Sequence, residues 1–213
     1  MTARVLIVDD HPLVRKGLIT ELADASDIVV ADEASDGYEA ITKARQLKPD
    51  LVLLDISLPG KNGLEVLKDL QSEMPEIKVL VLTAFPERQY AVRCLKSGAK
   101  GYITKDSAST DLVKAVRKVM AGGKFISASL ADLLASELGT DPHRLPHEEL
   151  SDREYEILCL IGEGKNVTEI ADILNLSISS VNTYRRRILV KMRMESTSQL
   201  IRYALDNNLS LIR

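Results

Sequence analysis

Residues 4–13 read "RVLIVDDHPL". Val5 to Val8 are apolar without a break, and two adjacent carboxylates, Asp9 and Asp10, follow at once. A strand with one wet face alternates apolar and polar residues; one apolar at every position suits a sheet covered on both faces. Working outward, short runs rich in Val, Leu and Ile recur at 28–33, 51–54, 79–82 and 101–103. Segments of helical period lie between them. Leu13, Gly17, Leu18 and Leu22 fall near one face of 12–24, as do Leu64, Leu67 and Leu70 in 62–72, and Leu112, Ala115, Val116 and Val119 in 107–121. Five strands alternating with five helices predict an α/β domain with a parallel sheet and right-handed crossovers.

The rest of the 213-residue chain is organised differently. "GGKFISASLADLLASEL" (122–138) is a Gly-Gly break followed by a short amphipathic helix, and "GTDPHRLPHEE" (139–149) reads as a linker. From Ser151 the pattern is helical. "SDRE" (151–154) is a capping box that opens a helix through Ile161, and "VTEIADIL" (167–174) is a second helix stopped by Asn175. "SISSVNTYRRRILVKM" (177–192) is a third with Ser177 as N-cap, and 196–208 a fourth with Ser196 and Gln199 as a further capping box. The expected domains are 1–121, a linker with a short helix over 122–149, and an all-α four-helix domain over 150–213. No apolar run approaches the ~18 residues of a membrane span. "MTARVLIVDD" does not read as a secretory leader. Cys94 and Cys159 have no metal or redox spacing and read as buried reduced thiols. A cytoplasmic protein without membrane contact is expected.

In a parallel sheet every residue that directly follows a strand lies on the carboxyl edge, where such folds bind ligands. Asp9 and Asp10 close the first run, Asp55 follows "LVLL", Thr83 follows "VLVL", and Lys105 follows "GYIT". Three acids, a hydroxyl and an ammonium therefore meet. Three close carboxylates repel, and a divalent cation together with Lys105 would balance them; Mg²⁺, with its preference for oxygen ligands, suits the task. Asp55 could then attack a phosphorus atom to give an acyl phosphate, with Thr83 donating to the phosphoryl group. Paired Asp at a strand end is more often a turn or helix cap, and a lone Thr or Lys there is usually solvated. The joint occurrence at four strand ends decides for a site. His11 reads as a loop residue.

"LIVDDHPLVRKGL", "DLVLLDISLPGKNGLEVL", "VLVLTAF" and "GAKGYITKD" resemble the receiver domain of bacterial two-component response regulators over roughly residues 3–121. The resemblance implies a flavodoxin-like strand order 2-1-3-4-5 and Asp55 as the phosphoacceptor. It implies that Asp9 and Asp10 are metal-binding acids, with Asp10, Asp55 and the backbone carbonyl of Ser57 as direct ligands. Thr83 and Lys105 match the switch hydroxyl and the phosphate-pairing lysine, and Tyr102 the aromatic that rotates inward.

Residues 1–130 hold 18 bases and 18 acids, whereas in 177–202 six bases face Glu195 alone. One basic segment in a mildly acidic chain is the pattern of a local polyanion contact. Within 177–193, Val181, Tyr184, Ile188, Leu189 and Met192 form an apolar stripe, and Asn182, Thr183, Arg186, Arg187 and Val190 lie opposite. A solvated charged helix would explain a lone Arg triplet, but the preceding helix, the "NLS" turn and this helix read as a helix-turn-helix. Residues 147–211 resemble the LuxR-type helix-turn-helix of the NarL/FixJ response regulators. That resemblance places Asn182, Thr183 and Arg186 in the major groove of double-stranded DNA. Arg185 and Arg187 would make backbone contacts or intradomain pairs, and Lys191 belongs to the same DNA-binding set. The last helix matches a dimerisation helix, with Gln199 and Tyr203 as candidates.

The expected function is a transcription factor acting at promoter sites with RNA polymerase. A sensor histidine kinase would phosphorylate it on Asp55 in the presence of Mg²⁺, and the phosphorylated form would be a homodimer reading half-sites ~34 Å apart. Beyond its own phosphotransfer and dephosphorylation it would catalyse nothing. The rivals are a hydrolase with an aspartyl-phosphate intermediate, a receiver that has lost phosphorylation control, and a phosphorylation-controlled module that binds protein instead of DNA.

Overall fold

The computed structural model describes residues 2–139 and 145–209. Residues 140–144 of the expected linker, and 210–213 at the end of the expected helical domain, lie outside the described residues. The chain divides into two compact units, 1–134 and 135–213.

In the first unit β1 (Ala3–Val8), β2 (Ile28–Ala34), β3 (Leu51–Leu54), β4 (Lys78–Thr83) and β5 (Gly101–Thr104) form one parallel sheet in the order β2-β1-β3-β4-β5. Helices α1 (Pro12–Ala23), α2 (Gly37–Leu47), α3 (Gly63–Glu73), α4 (Glu87–Lys96) and α5 (Ala108–Met120) connect and follow the strands. Val5 and Ile7, Leu51 and Leu53, and Leu80 and Leu82 join Leu18, Leu22, Leu112, Val116 and Val119 in one buried cluster. The alternate residues Leu6, Val52, Leu54 and Val81 are buried as well, and alternation turns them to the opposite face. Both faces are therefore covered, as the unbroken apolar runs require.

The phase of α1 differs from expectation. Leu13 is 83% exposed and Gly17 faces open space, while Val14, Leu18, Ile19 and Leu22 meet the core. A stripe spaced by three and four from Leu18 passes through Val14 and Leu22, and Leu13 falls outside it.

Residues beyond α5 stay on the first unit further than the predicted linker start at 122. Phe125 N–H donates to Lys100 O at 2.9 Å, and Tyr102 N–H donates to Phe125 O at 3.1 Å. Gly101 permits this approach, since a Cβ there would lie 2.6 Å from Phe125 O. At the start of α6 (Ala128–Gly139), the Ser127 hydroxyl accepts from Leu130 N–H and donates to Glu87 of α4, as does Ser129. Leu130 is buried.

The second unit contains α7 (Asp152–Gly162), α8 (Val167–Leu174), α9 (Ile178–Lys191) and α10 (Thr197–Asp206) after a short 3-10 helix over Pro146–Glu149. Ser151 and Glu154 form the expected capping box, and Ser177 caps α9. Asn175 ends α8 in the left-handed region at φ 51°, which Asn tolerates. Ser196 caps α10, but the Gln199 side chain accepts from Glu195 N–H, one residue before the cap. Val181, Ile188 and Met192 are buried on α9, while Tyr184 and Leu189 are half-buried. None of the described helices is long and apolar enough to cross a membrane.

Candidate functional site

Register builds the acidic site. Val8 pairs with Leu54, so the next residues, Asp9 and Asp55, leave adjacent strand ends; Asp55 N–H donates to Val8 O at 2.9 Å. Thr83 is the last residue of β4, and Lys105 follows β5. Gly63, the first residue of α3, allows that helix to seat on the Asp55 backbone, since a Cβ there would clash with Asp55 O.

The Lys105 ammonium sits 2.6 Å from Asp55 Oδ2 and 2.7 Å from Asp9 Oδ2. Asp9 is 1% exposed, Asp55 2% and Thr83 0%, whereas the Asp10 side chain is 35% exposed. Burial raises the Asp55 pKa, and the Asp9 charge pushes the same way; Lys105 and a hydrogen bond from Thr83 partly offset this. Burial works against the Lys105 ammonium, but Asp55 and Asp9 outweigh it and raise its pKa.

Ser57 enters through its backbone N–H, donated to Asp55 Oδ1 at 3.1 Å. The Phe85 amide donates to the Thr83 hydroxyl at 3.5 Å, and the Phe85 carbonyl accepts from Tyr102 Oη at 2.8 Å. Thr83 and the buried Tyr102 are thus joined through one backbone residue, which the sequence did not single out.

Three carboxylates and one ammonium leave this pocket two charges short of neutral. Asp9 Oδ2 and Asp10 Oδ1 are buried oxygens with one polar neighbour each, the Lys105 ammonium at 2.7 Å and the His11 ring nitrogen at 2.6 Å. An oxygen donor set with this excess of negative charge fits a hard divalent cation. Among the described residues, the ligand atoms already close together are those of Asp9, Asp10 and His11, within 4.8 Å. Asp55, the other expected ligand, pairs with Lys105 at 2.6 Å.

His11 is thus part of this cluster and not simply a loop residue. Pro12 occupies the first turn of α1, and His11 as N-cap makes no side-chain bond to the helix. Its ring turns to the acids. Asp9 also plays the plainer role of a turn residue, accepting from His11 N–H at 2.9 Å.

The second site is one face of α9. Asn182, Thr183, Arg186, Arg187, Val190 and Lys191 are exposed, and Arg185 is half-buried. A shallow groove of about 370 Å³ runs along Thr183, Arg186, Arg187, Val190 and Lys191. These side chains are not equally available. The Thr183 hydroxyl donates to Ser179 O at 2.9 Å, the Arg187 guanidinium lies 5.8 Å from the Tyr184 ring centroid, and Lys191 pairs with Glu154 at 2.6 Å. Among the described residues, Asn182 and Arg186 make no side-chain hydrogen bond or ion pair. Gln199 is engaged at the start of α10, and Tyr203 Oη lies 2.8 Å from His147 Nδ1. Nothing in the sequence pattern links His147 to Tyr203, 56 residues away.

Residues 5–117 match the response regulator receiver domain family, and residues 148–204 match the luxR family of bacterial regulatory proteins. The chain is 40% identical to the response regulator GacA of Pseudomonas aeruginosa over 198 residues, covering 92% of each. It is 37% identical to the response regulator VraR of Staphylococcus aureus, covering 98% of this chain and 99% of VraR. Among solved structures, it resembles RcsB from Salmonella enterica serovar Typhimurium bound to promoter rprA in the presence of phosphomimetic BeF3−. The TM-score is 0.66 at 28% identity, with 95% of this chain and 98% of that one covered.

Proposed function

The chain belongs to the two-component response regulators of the NarL/FixJ type, a receiver domain joined to a luxR-family helix-turn-helix domain, and from that premise we propose a cytoplasmic transcription factor switched by phosphorylation of Asp55. The observation that carries the reading is the buried pairing of Lys105 with both Asp55 and Asp9. It holds an acceptor carboxylate beside the cation that a phosphoryl group needs.

An Asp55 oxygen attacks the phosphorus of a phosphohistidine on a sensor kinase. The P–N bond breaks, the kinase imidazole leaves with the electron pair, and an acyl phosphate remains. Asp9, Asp10, Asp55 and the Ser57 carbonyl are the groups that would hold Mg²⁺, which supplies neutralisation of the phosphoryl oxygens. Lys105 pairs with one phosphoryl oxygen and the Thr83 hydroxyl donates to another. Because Phe85 ties Thr83 to Tyr102, a change at the acceptor is felt at β5 and α4. Such contacts shift an existing equilibrium of receiver conformations toward a homodimer. The dimer presents two α9 helices to half-sites in promoter DNA, through Asn182, Thr183 and Arg186 in the groove and the remaining basic residues on the backbone, and RNA polymerase is the downstream partner. The similarity to RcsB, solved bound to promoter rprA in the presence of a phosphomimetic, supports promoter binding as the output.

The test is selection from a random duplex pool, with acetyl phosphate and Mg²⁺ present. Wild-type protein should enrich a defined motif, and Asp55→Asn should enrich it far less. Equal enrichment by both would remove phosphorylation from the account.

A further inference from the structure

Resting on the reading that α9 enters a DNA groove, we infer that Thr183 selects a thymine through its methyl group, with Asn182 and Arg186 selecting adenine and guanine beside it. A threonine can face a base edge with a hydroxyl or with a methyl. Here the hydroxyl hydrogen is spent on Ser179 O, one turn back in the same helix, at 2.9 Å. The groove is offered no donor, only the remaining acceptor lone pair of Oγ1, and the branched Cβ places a methyl beside it that can touch a base. The thymine C5-methyl is the apolar feature of the major groove and accepts such a contact.

The neighbouring residues divide by the same accounting. Arg187 lies over Tyr184 and Lys191 is paired with Glu154, so both are positioned before any ligand arrives. Asn182 and Arg186 are exposed and, among the described residues, unpaired. Each retains the two-pronged edge that fits one purine: the Asn amide meets adenine N6 and N7, and the guanidinium meets guanine O6 and N7. Four residues of helix separate them by about 6 Å, close to two base-pair steps of about 3.4 Å. Val190, 71% exposed, extends the apolar strip of Thr183 along the same groove. The preferred half-site therefore contains a thymine-bearing A·T pair within about two steps of a G·C pair.

The experiment uses the full chain with acetyl phosphate and Mg²⁺. A duplex selected from a random pool is remade with uracil in place of each thymine in turn, which removes only the methyl. At one position per half-site, uracil should weaken wild-type binding about fourfold, the weight of one buried methyl. Thr183→Ser should bind thymine and uracil equally, and Thr183→Val should keep the preference. Selective binding that no uracil weakens overturns the methyl assignment alone. So does a preference kept by Thr183→Ser and lost in Thr183→Val, which would make the hydroxyl the reader. A chain that enriches no duplex overturns the DNA reading together with the assignment.

Discussion

The pocket at the carboxyl edge of the sheet and the outer face of α9 handle charge in opposite ways. In the pocket, Asp9 and Asp55 are buried and share one ammonium, so each charge needs the others. On α9 Arg186 and Arg187 are exposed, and two of the side chains that matter, Asn182 and Arg186, have no partner among the described residues. Desolvated charges must be neutralised before any ligand arrives, whereas solvated ones can wait for it. The difference teaches that substitutions in the first region should be coupled and costly to folding. Those in the second should be nearly independent and visible mainly in binding.

The sharpest way to break this contrast is Lys105→Ala. It leaves two buried carboxylates without their cation and should lower the unfolding free energy by about 3 kcal/mol, read by urea denaturation without divalent ions. Adding Asp9→Asn should return part of that loss, because the two residues share one interaction. Strict additivity would show that the buried pairing is not coupled.

Next in size, Arg186→Ala should weaken the selected duplex by at least about 1 kcal/mol, roughly fivefold, while random duplex loses less. Equal losses would make Arg186 a phosphate contact, and a large loss of stability would deny that it waits for a ligand. Lys191→Ala tests the residue that belongs to both plans. Its bond to Glu154 predicts a stability loss within about 1 kcal/mol. The log–log salt slope of DNA binding should change by less than the roughly one unit of a free phosphate contact.

The smallest effect concerns pH. Although burial opposes it, the Lys191 pair and the Ser151 N–H bond hold the Glu154 pKa below its ordinary value. A depressed carboxylate stabilises the fold above its unfolded pKa, and that contribution disappears as pH falls through the lower folded value. Glu154→Gln should therefore make the loss of stability in mild acid shallower than in wild type. An unchanged acid limb would mean that the pair contributes nothing.

The two regions were not equally legible in the sequence. The meeting of Asp9, Asp55, Thr83 and Lys105 is legible because each closes or follows a strand, and a parallel sheet sends all those ends to one edge. The opposed faces of α9 followed from helical period alone. His11 and Phe85 escaped because their contacts depend on how a loop backbone turns, which no periodicity encodes. Leu13 lies off the buried face of α1 that its apolar character suggests, since one residue of phase, about 100°, separates it from Val14. Gly-Gly at 122–123 reads as a break, yet Phe125 beside Gly101 carries the chain on along β5. Tyr203 makes a contact with His147 that its sequence neighbours do not announce.

The central claim is that Asp55, paired with Lys105 at the carboxyl edge, is the group that takes up phosphate. Intact-mass spectrometry of the full chain after incubation with acetyl phosphate and Mg²⁺ tests it most directly. The account predicts a gain of one phosphoryl group by the wild type and none by Asp55→Asn. The same gain in Asp55→Asn, or its placement by peptide mapping on any other residue, would contradict it.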